Sequence, residues 1–494
     1  MPVRMTRWSA PLLLVAAGAC AHVRTAPTPS PATRARMEQV LEGLRPPVAV
    51  AGEPAVRWSL AERMRAHHVP GVSIAVIDSG RLVWARGFGV KEAGGTDSVT
   101  PETMFQAGSI SKPTFAIGVM RLVQDGTLDL DQDVNARLTS WKVPENAFTA
   151  QANVTLRRIL SHSAGLTVHG FPGYAAGAPI PTVPQILDGT PPANTAPVRV
   201  DTVPGAISRY SGGGLTIAML LVTDVTHEPL PRFMQQMVLG PAGMTHSTYR
   251  QPLPASLAAQ AASAHTSTGE VIPGKYHTYP EMSAAGLWTT PSDLAKLAIE
   301  LQRTAAGRSH RLIRPATLRE MLTVQKAPFG IGYVLNGSGP DFEFSHGGSN
   351  EGFNADFTVF PARGQGAVIM TNGDDGGALI GEILPSIAEA FGWAHHRAQV
   401  KAVHPTDPAV LADIAGRYRL SLGGPEPIVD TVTVSDGKLF MAAGGAIDRV
   451  ELLAESDSTF FTRDVGYPVV FGRDSTGHVA RVTLFGDAVG TKIR

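Results

Sequence analysis

The chain has 494 residues, 43% of them hydrophobic and 17% charged, and its 42 basic and 42 acidic side chains cancel to zero net charge. That much apolar material builds a packed core, while the charge balance, with no basic tract, leaves no electrostatic footprint for nucleic acid or an acidic partner. The single cysteine, Cys20, leaves no intrachain disulfide to rely on.

The N-terminus reads as a targeting segment. Arg4 and Arg7 precede the apolar run 11–19, which is too short to span a bilayer and ends in small residues just before Cys20. The pattern resembles a bacterial lipoprotein signal, with cleavage before Cys20 and lipid on its sulfur. Ala17 stands where such signals usually have Leu, so an ordinary signal peptide cleaved after Ala19 or Ala21 is the alternative. Either way residues 1–20 are predicted to be a leader and the chain to leave a bacterial cytoplasm for the periplasm or cell envelope. Membrane contact would come only through the lipid, and the Pro-rich stretch 21–32 would be a tether.

A larger unit is expected over 33–394. Thr33 is a plausible N-cap for a helix reaching residue 44, and 58–67 is again helical. Segments 72–77 and 82–88 flank Asp78-Ser79-Gly80 and predict a hairpin. Next comes Ser109-Ile110-Ser111-Lys112 at the start of an amphipathic helix carrying Phe115, Val119, Leu122 and Val123, with Asp125-Gly126 as its stop. One turn separates positions i and i+3, so the Ser109 hydroxyl and the Lys112 amine share a face. A serine needs a neighbour to take its proton, and a desolvated lysine can be that base. Ser-x-x-Lys alone is weak evidence, since about one chance match is expected in a chain this long. The second match, Ser435-Asp436-Gly437-Lys438, falls on two alternating strands around an Asp-Gly turn, with Lys438 in solvent.

Residues 168–205 are rich in Pro, Gly and Ala and read as loops lining or covering a site. Tyr210-Ser211-Gly212-Gly213-Gly214 enters a glycine-rich turn before a helix over 215–225, and Ser345-His346-Gly347-Gly348-Ser349 is a short strand running into glycines. Strands 355–360 and 367–371 form another hairpin, and a helix over 378–391 closes the unit. Strands, a helical block, then strands and a helix imply an α+β fold: an antiparallel sheet built from both chain ends, with flanking helices and a mostly helical insertion. His162-Ser163-Ala164-Gly165 brushes against a nucleophile elbow, but Ser161 replaces its first glycine and no strand precedes it. The pairs His67-His68 and His395-His396 diverge on a helix, and no metal spacing or cofactor motif is present. After a polar linker at 395–408, short strands at 416–420, 431–434, 438–441, 459–462, 469–472 and 479–485 predict a small all-β barrel over 409–494.

Ser-x-x-Lys, then a tyrosine motif, then a Lys/His-x-Gly strand is the order found in the serine β-lactamase and penicillin-binding-protein superfamily. The chain resembles its class C branch of esterases, D-aminopeptidases, DD-peptidases and lactamases from about residue 58 to about 393. Further similar stretches are Leu160-Ser161-His162-Ser163-Ala164-Gly165-Leu166 and Ala284-Ala285-Gly286-Leu287-Trp288. The C-terminal unit resembles the lipocalin-like domain appended to many such hydrolases. The resemblance implies acyl transfer with Ser109 as nucleophile and Lys112 and Tyr210 sharing the proton duties, which of them is base being open. It also implies an oxyanion hole from the N–H groups of Ser109 and Ser349, with substrate lying along His346-Gly347-Gly348-Ser349. Two departures stand out: Gly212 where the tyrosine motif usually has Asn, and His346 where lactamases usually have Lys. Both lean toward a small ester or peptide substrate over a β-lactam, with weak lactam hydrolysis still open and peptidoglycan fragments a further candidate partner. The alternatives are a lactamase or DD-peptidase, and a catalytically silent binding protein.

Overall fold

The computed structural model describes residues 29–420, 428–443, 449–464, 468–484 and 488–493, so the expected leader and the Cys20 lipid site lie outside the described residues. A six-stranded sheet runs in the order Arg81–Gly89, Gly71–Asp78, Gln365–Thr371, Phe353–Phe360, Glu343–Asn350 and Val334–Asn336. Every neighbouring pair is antiparallel, and the central pairing of Gly71–Asp78 with Gln365–Thr371 joins the two ends of the unit. Along Gly71–Asp78 the side chains alternate with the pleat. Val72, Ile74 and Val76 pack with Met37, Leu60 and Ile383 from helices on one face, whereas Ala75 and Ile77 join the large helical core on the other. Burial on both faces explains why this strand reads as a nearly unbroken apolar run.

The first helix begins earlier than the sequence reading placed it, at Pro31–Leu41, because the Ser30 side chain accepts from the Thr33 N–H and Pro31 suits the first turn. The second, Leu60–Ala66, opens with a reciprocal capping box between Ser59 and Glu62. Gly212–Thr226 also starts early: the three glycines are its first turn, not a loop before it. Ser211 caps it by accepting from the Gly214 N–H at 3.0 Å. Side chains at Gly212, Gly213 and Gly214 would press on Phe171, Val198 and Leu166, so close packing outweighs the poor helix propensity of glycine.

The C-terminal unit is a closed barrel of eight antiparallel strands, Gly416–Leu420 pairing with both Ile428–Ser435 and Ala488–Ile493. Two of its strands, Val450–Ala454 and Ala488–Ile493, were absent from the sequence reading. The second carries Gly490, where a side chain would strike Leu420 and Val482, its partners on the two flanking strands, and such a glycine weakens the strand signal. Tyr418, Leu439, Phe460, Phe471 and Val482 fill that interior. Ser435 and Lys438 close the hairpin with Ile428–Ser435 facing Lys438–Ala443, and Lys438 pairs with Glu451 at 2.9 Å. Within the stretch read as a linker, Gln399–Lys401 adds in parallel to Val48–Val50. Val48 and Val50 pack with Leu453 and Phe461 of the barrel, and Arg463 grips Glu53 at 2.7 and 2.8 Å.

Candidate active site

Ser109 occupies a single tight turn, Gly108–Ile110, which runs directly into the helix Ser111–Gln124. Its neighbours Gly108 and Ile110 are buried, yet Ser109 itself is only partly so. The Ser111 hydroxyl fixes the turn, donating to the Gly108 carbonyl at 2.6 Å and accepting from the Leu287 N–H at 3.0 Å. One turn on, the Lys112 Nζ lies 2.9 Å from Ser109 Oγ and donates to the Ala284 carbonyl at 2.8 Å. Lys112 is 2% exposed, and burial lowers its pKa to about 7. A neutral amine that donates to Ala284 keeps its lone pair for the Ser109 proton. Glu281, one turn before Ala284, is also fully buried, and burial pushes its carboxyl up to about 8. It therefore adds little negative charge that would hold Lys112 protonated at pH 7.

Tyr210 comes from the segment preceding Gly212–Thr226. Its ring centroid lies 4.9 Å from the Lys112 Nζ. Burial raises the phenol well above its ordinary range while a hydrogen bond with Ser109 pulls the other way, so the hydroxyl keeps its proton at neutral pH. The helical turn, the tyrosine segment and the lysine thus converge on one oxygen.

The strand Glu343–Asn350 forms the opposite wall. A Cβ at Gly348 would lie 2.0 Å from the Ala107 carbonyl oxygen and 3.2 Å from the Ser109 nitrogen, and one at Gly108 would lie 2.5 Å from the Ser349 nitrogen. Two glycines facing each other let the two backbones touch, bringing the Ser109 and Ser349 peptide units to one place where N–H groups can meet an oxyanion. Gly347 differs: a side chain there would meet only the Ala355 carbonyl, at 3.8 Å, and otherwise open space. The strand end is tied to the loop behind Lys112, since the Asn350 amide donates to the Ala285 carbonyl at 3.0 Å and to Gln106 at 2.7 Å. His346 is 5% exposed, and burial with the nearby Lys112 lowers its pKa to about 4. Its Nδ1 faces the Gly347 carbonyl at 2.5 Å, and Nε2 has no protein partner among the described residues.

The sequence reading missed the surroundings of Tyr210. His162 and His169 pack on its ring with centroids 4.2 and 4.8 Å away, and Phe329 at 6.3 Å. Phe171 and the His169 carbonyl occupy the space next to Gly212, 3.0 and 3.1 Å from where a Cβ would stand. The available signal was the Ser161-His162-Ser163 stretch itself, singled out by resemblance without a role. Ser163 is no nucleophile: the residue is buried and its hydroxyl is bonded to that of Ser161 at 3.1 Å.

A base that titrates near neutrality leaves a signature. Below about pH 7 the Lys112 amine is increasingly protonated and cannot accept the Ser109 proton. The rate of Ser109 modification by an uncharged fluorophosphonate ester is expected to rise about tenfold per pH unit below that value and to level above it. A profile flat from pH 5 to 8 would exclude Lys112 as base.

Residues 57–390 match the family model described as Beta-lactamase. Among curated proteins, the chain is 26% identical to the unguisins hydrolase ungD of Aspergillus violaceofuscus, over 63% of this chain and 59% of that protein. Among solved structures, the octameric penicillin-binding protein homologue from Pyrococcus abyssi superposes with a TM-score of 0.56 at 20% identity, covering 88% of this chain and 98% of that one. D-amino acid amidase from Ochrobactrum anthropi SV3 gives a TM-score of 0.56 at 21% identity, covering 73% and 98%. The chain belongs to the beta-lactamase family, a family of serine hydrolases.

Proposed function

We propose that this protein hydrolyses small esters, and peptides or amides, through an acyl-serine intermediate. One observation carries the reading: a buried lysine, 2.9 Å from the hydroxyl of a partly exposed serine. Ser109 Oγ attacks the substrate carbonyl carbon as its proton passes to Lys112 Nζ. Negative charge develops on the former carbonyl oxygen, facing the Ser109 and Ser349 N–H groups, an arrangement that contributes about 3 kcal/mol in a dry site. The bond to the leaving group then breaks, and the Tyr210 phenol supplies the proton that the departing alcohol or amine requires, recovering one from Lys112. Water repeats the sequence on the acyl-serine and frees the acid. A neutral lysine and a protonated phenol suit base and acid respectively.

The ester lean comes from two positions. Gly212 offers no amide to a substrate, and Phe171 fills the adjoining space. His346 is neutral at pH 7 and attracts a substrate carboxylate less than a lysine would. The similarity to a D-amino acid amidase keeps amides within reach. A panel of a short p-nitrophenyl ester, a D-Ala-D-Ala peptide and a chromogenic cephalosporin decides: the ester is expected to turn over fastest, with Ser109→Ala abolishing both turnover and fluorophosphonate labelling. Equal or faster cephalosporin turnover would reverse the preference. A folded wild type that neither labels nor turns over would make the protein a binder. We also propose export to the cell envelope on the strength of Arg4, Arg7, the apolar run 11–19 and Cys20; metabolic labelling with a lipid analogue, lost in Cys20→Ser, tests the anchor.

A further inference from the structure

His162 meets the segment bearing Tyr210 on three sides. Its carbonyl accepts from the Arg209 N–H at 2.7 Å. Its Nδ1 accepts from the Ser211 N–H at 3.2 Å. Its ring lies against the phenol, with centroids 4.2 Å apart and planes inclined by 31°. Arg209 and Ser211 flank Tyr210, so the backbone is pinned on either side and the aromatic ring is held on its face. The imidazole is itself fixed: it is 3% exposed, and Phe329 meets its edge with centroids 4.9 Å apart at 72°. The residue follows the helix Leu156–Leu160 and its cap Ser161 at φ 53°, a left-handed conformation that turns the ring back toward the site. Burial and the neighbouring Lys112 keep the ring neutral. With Nδ1 accepting, the ring proton belongs on Nε2.

From these contacts we infer that His162 is a positioning residue: it aims the Tyr210 hydroxyl at Ser109. The inference rests on the reading of Tyr210 as the proton donor in the proposed reaction. A histidine that only filled the core would also cost activity when removed, through stability, so the test must isolate the part that passes through the phenol.

A double-mutant cycle does this. The kcat and KM on ethyl butyrate, whose ethoxide leaving group requires a proton, are measured for wild type, His162→Ala, Tyr210→Phe and the double variant, with near-UV circular dichroism confirming the fold. In the wild-type background His162→Ala is expected to lower kcat roughly 100-fold with KM within about twofold, the size of effect produced by misplacing a reacting group. In the Tyr210→Phe background, where no hydroxyl remains to be aimed, the same change should cost less than about threefold. His162→Asn tolerates positive φ and offers an oxygen to the Ser211 N–H, so it should restore at least about tenfold of the loss. Equal costs in both backgrounds, a loss confined to KM, or no loss would overturn the assignment. If His162→Ala does not fold, His162→Gln takes its place in the cycle under the same criteria. An inactive wild type would instead sink the proposed reaction, so the two failures are distinct.

Discussion

Lys112→Met is expected to abolish turnover and, at pH 7, to make the protein more stable than the wild type. The activity loss follows from removing the group 2.9 Å from the Ser109 hydroxyl, and should be at least about a thousandfold given what a positioned base contributes. The stability gain follows from the same burial that lowers the lysine's pKa. Its pKa falls from 10.5 to about 7 on folding. Each unit corresponds to about 1.4 kcal/mol, so at pH 7 the folded state carries a penalty of roughly 4 kcal/mol. Against this stand the hydrogen bonds to Ser109 and the Ala284 carbonyl, roughly 1 kcal/mol each. Methionine is apolar and similar in length, so a net gain of about 2 kcal/mol remains. The sign of its pH dependence is fixed. Between about 7 and 10.5 the unfolded chain binds the lysine proton and the folded chain does not, so wild-type stability rises with pH across that window and the advantage of Lys112→Met shrinks. Denaturant titrations at pH 7 and pH 10 measure both quantities. A variant less stable than wild type at pH 7, or a gap that fails to narrow at pH 10, would show that the amine is not held uncharged by burial.

What the sequence disclosed and what it withheld divide along a physical line. Ser109 and Lys112 were legible because their meeting is local, one helical turn apart. The hairpin of Gly71–Asp78 with Arg81–Gly89 was legible because Ser79 and Gly80 turn at φ 52° and 68°. The antiparallel architecture followed from the order of strands and helices. Contacts set by distant chain segments were harder. His162 bonds Ser211 across 49 residues, and nothing in its own neighbourhood announces an imidazole laid on a phenol. Gly212, Gly213 and Gly214 suggested a turn because glycine disfavours helices; only Phe171, Val198 and Leu166, packed against them, show why a helix starts there. The barrel strand Ala488–Ile493 was obscured by Gly490 for the same reason. Tertiary packing overrode local propensity at each of these places.

Gly348→Ala is expected to cost more than any other single methyl group added to the motif strand. The new Cβ would stand 2.0 Å from the Ala107 carbonyl oxygen, a backbone atom in the turn that carries Ser109, and 3.2 Å from the Ser109 nitrogen. A side chain could swing aside; a peptide group flanked by the buried Gln106 and Gly108 cannot move without moving the nucleophile. The strand and the turn must separate, and with them the Ser109 and Ser349 N–H groups. Loss of one such donor typically lowers kcat by about 100- to 1000-fold, and Gly348→Ala is expected to fall in that range or below detection. Stability should fall as well, by roughly 1–3 kcal/mol for an overpacked site. Gly347→Ala provides the contrast, because its Cβ would meet only the Ala355 carbonyl at 3.8 Å, and its stability should stay within about 0.5 kcal/mol of wild type. Thermal denaturation of the two variants, with kcat on a p-nitrophenyl ester for Gly348→Ala, checks the difference. If Gly348→Ala retained wild-type kcat and wild-type stability, the strand would not lie against the nucleophile turn, and an oxyanion hole formed by Ser109 and Ser349 could not exist.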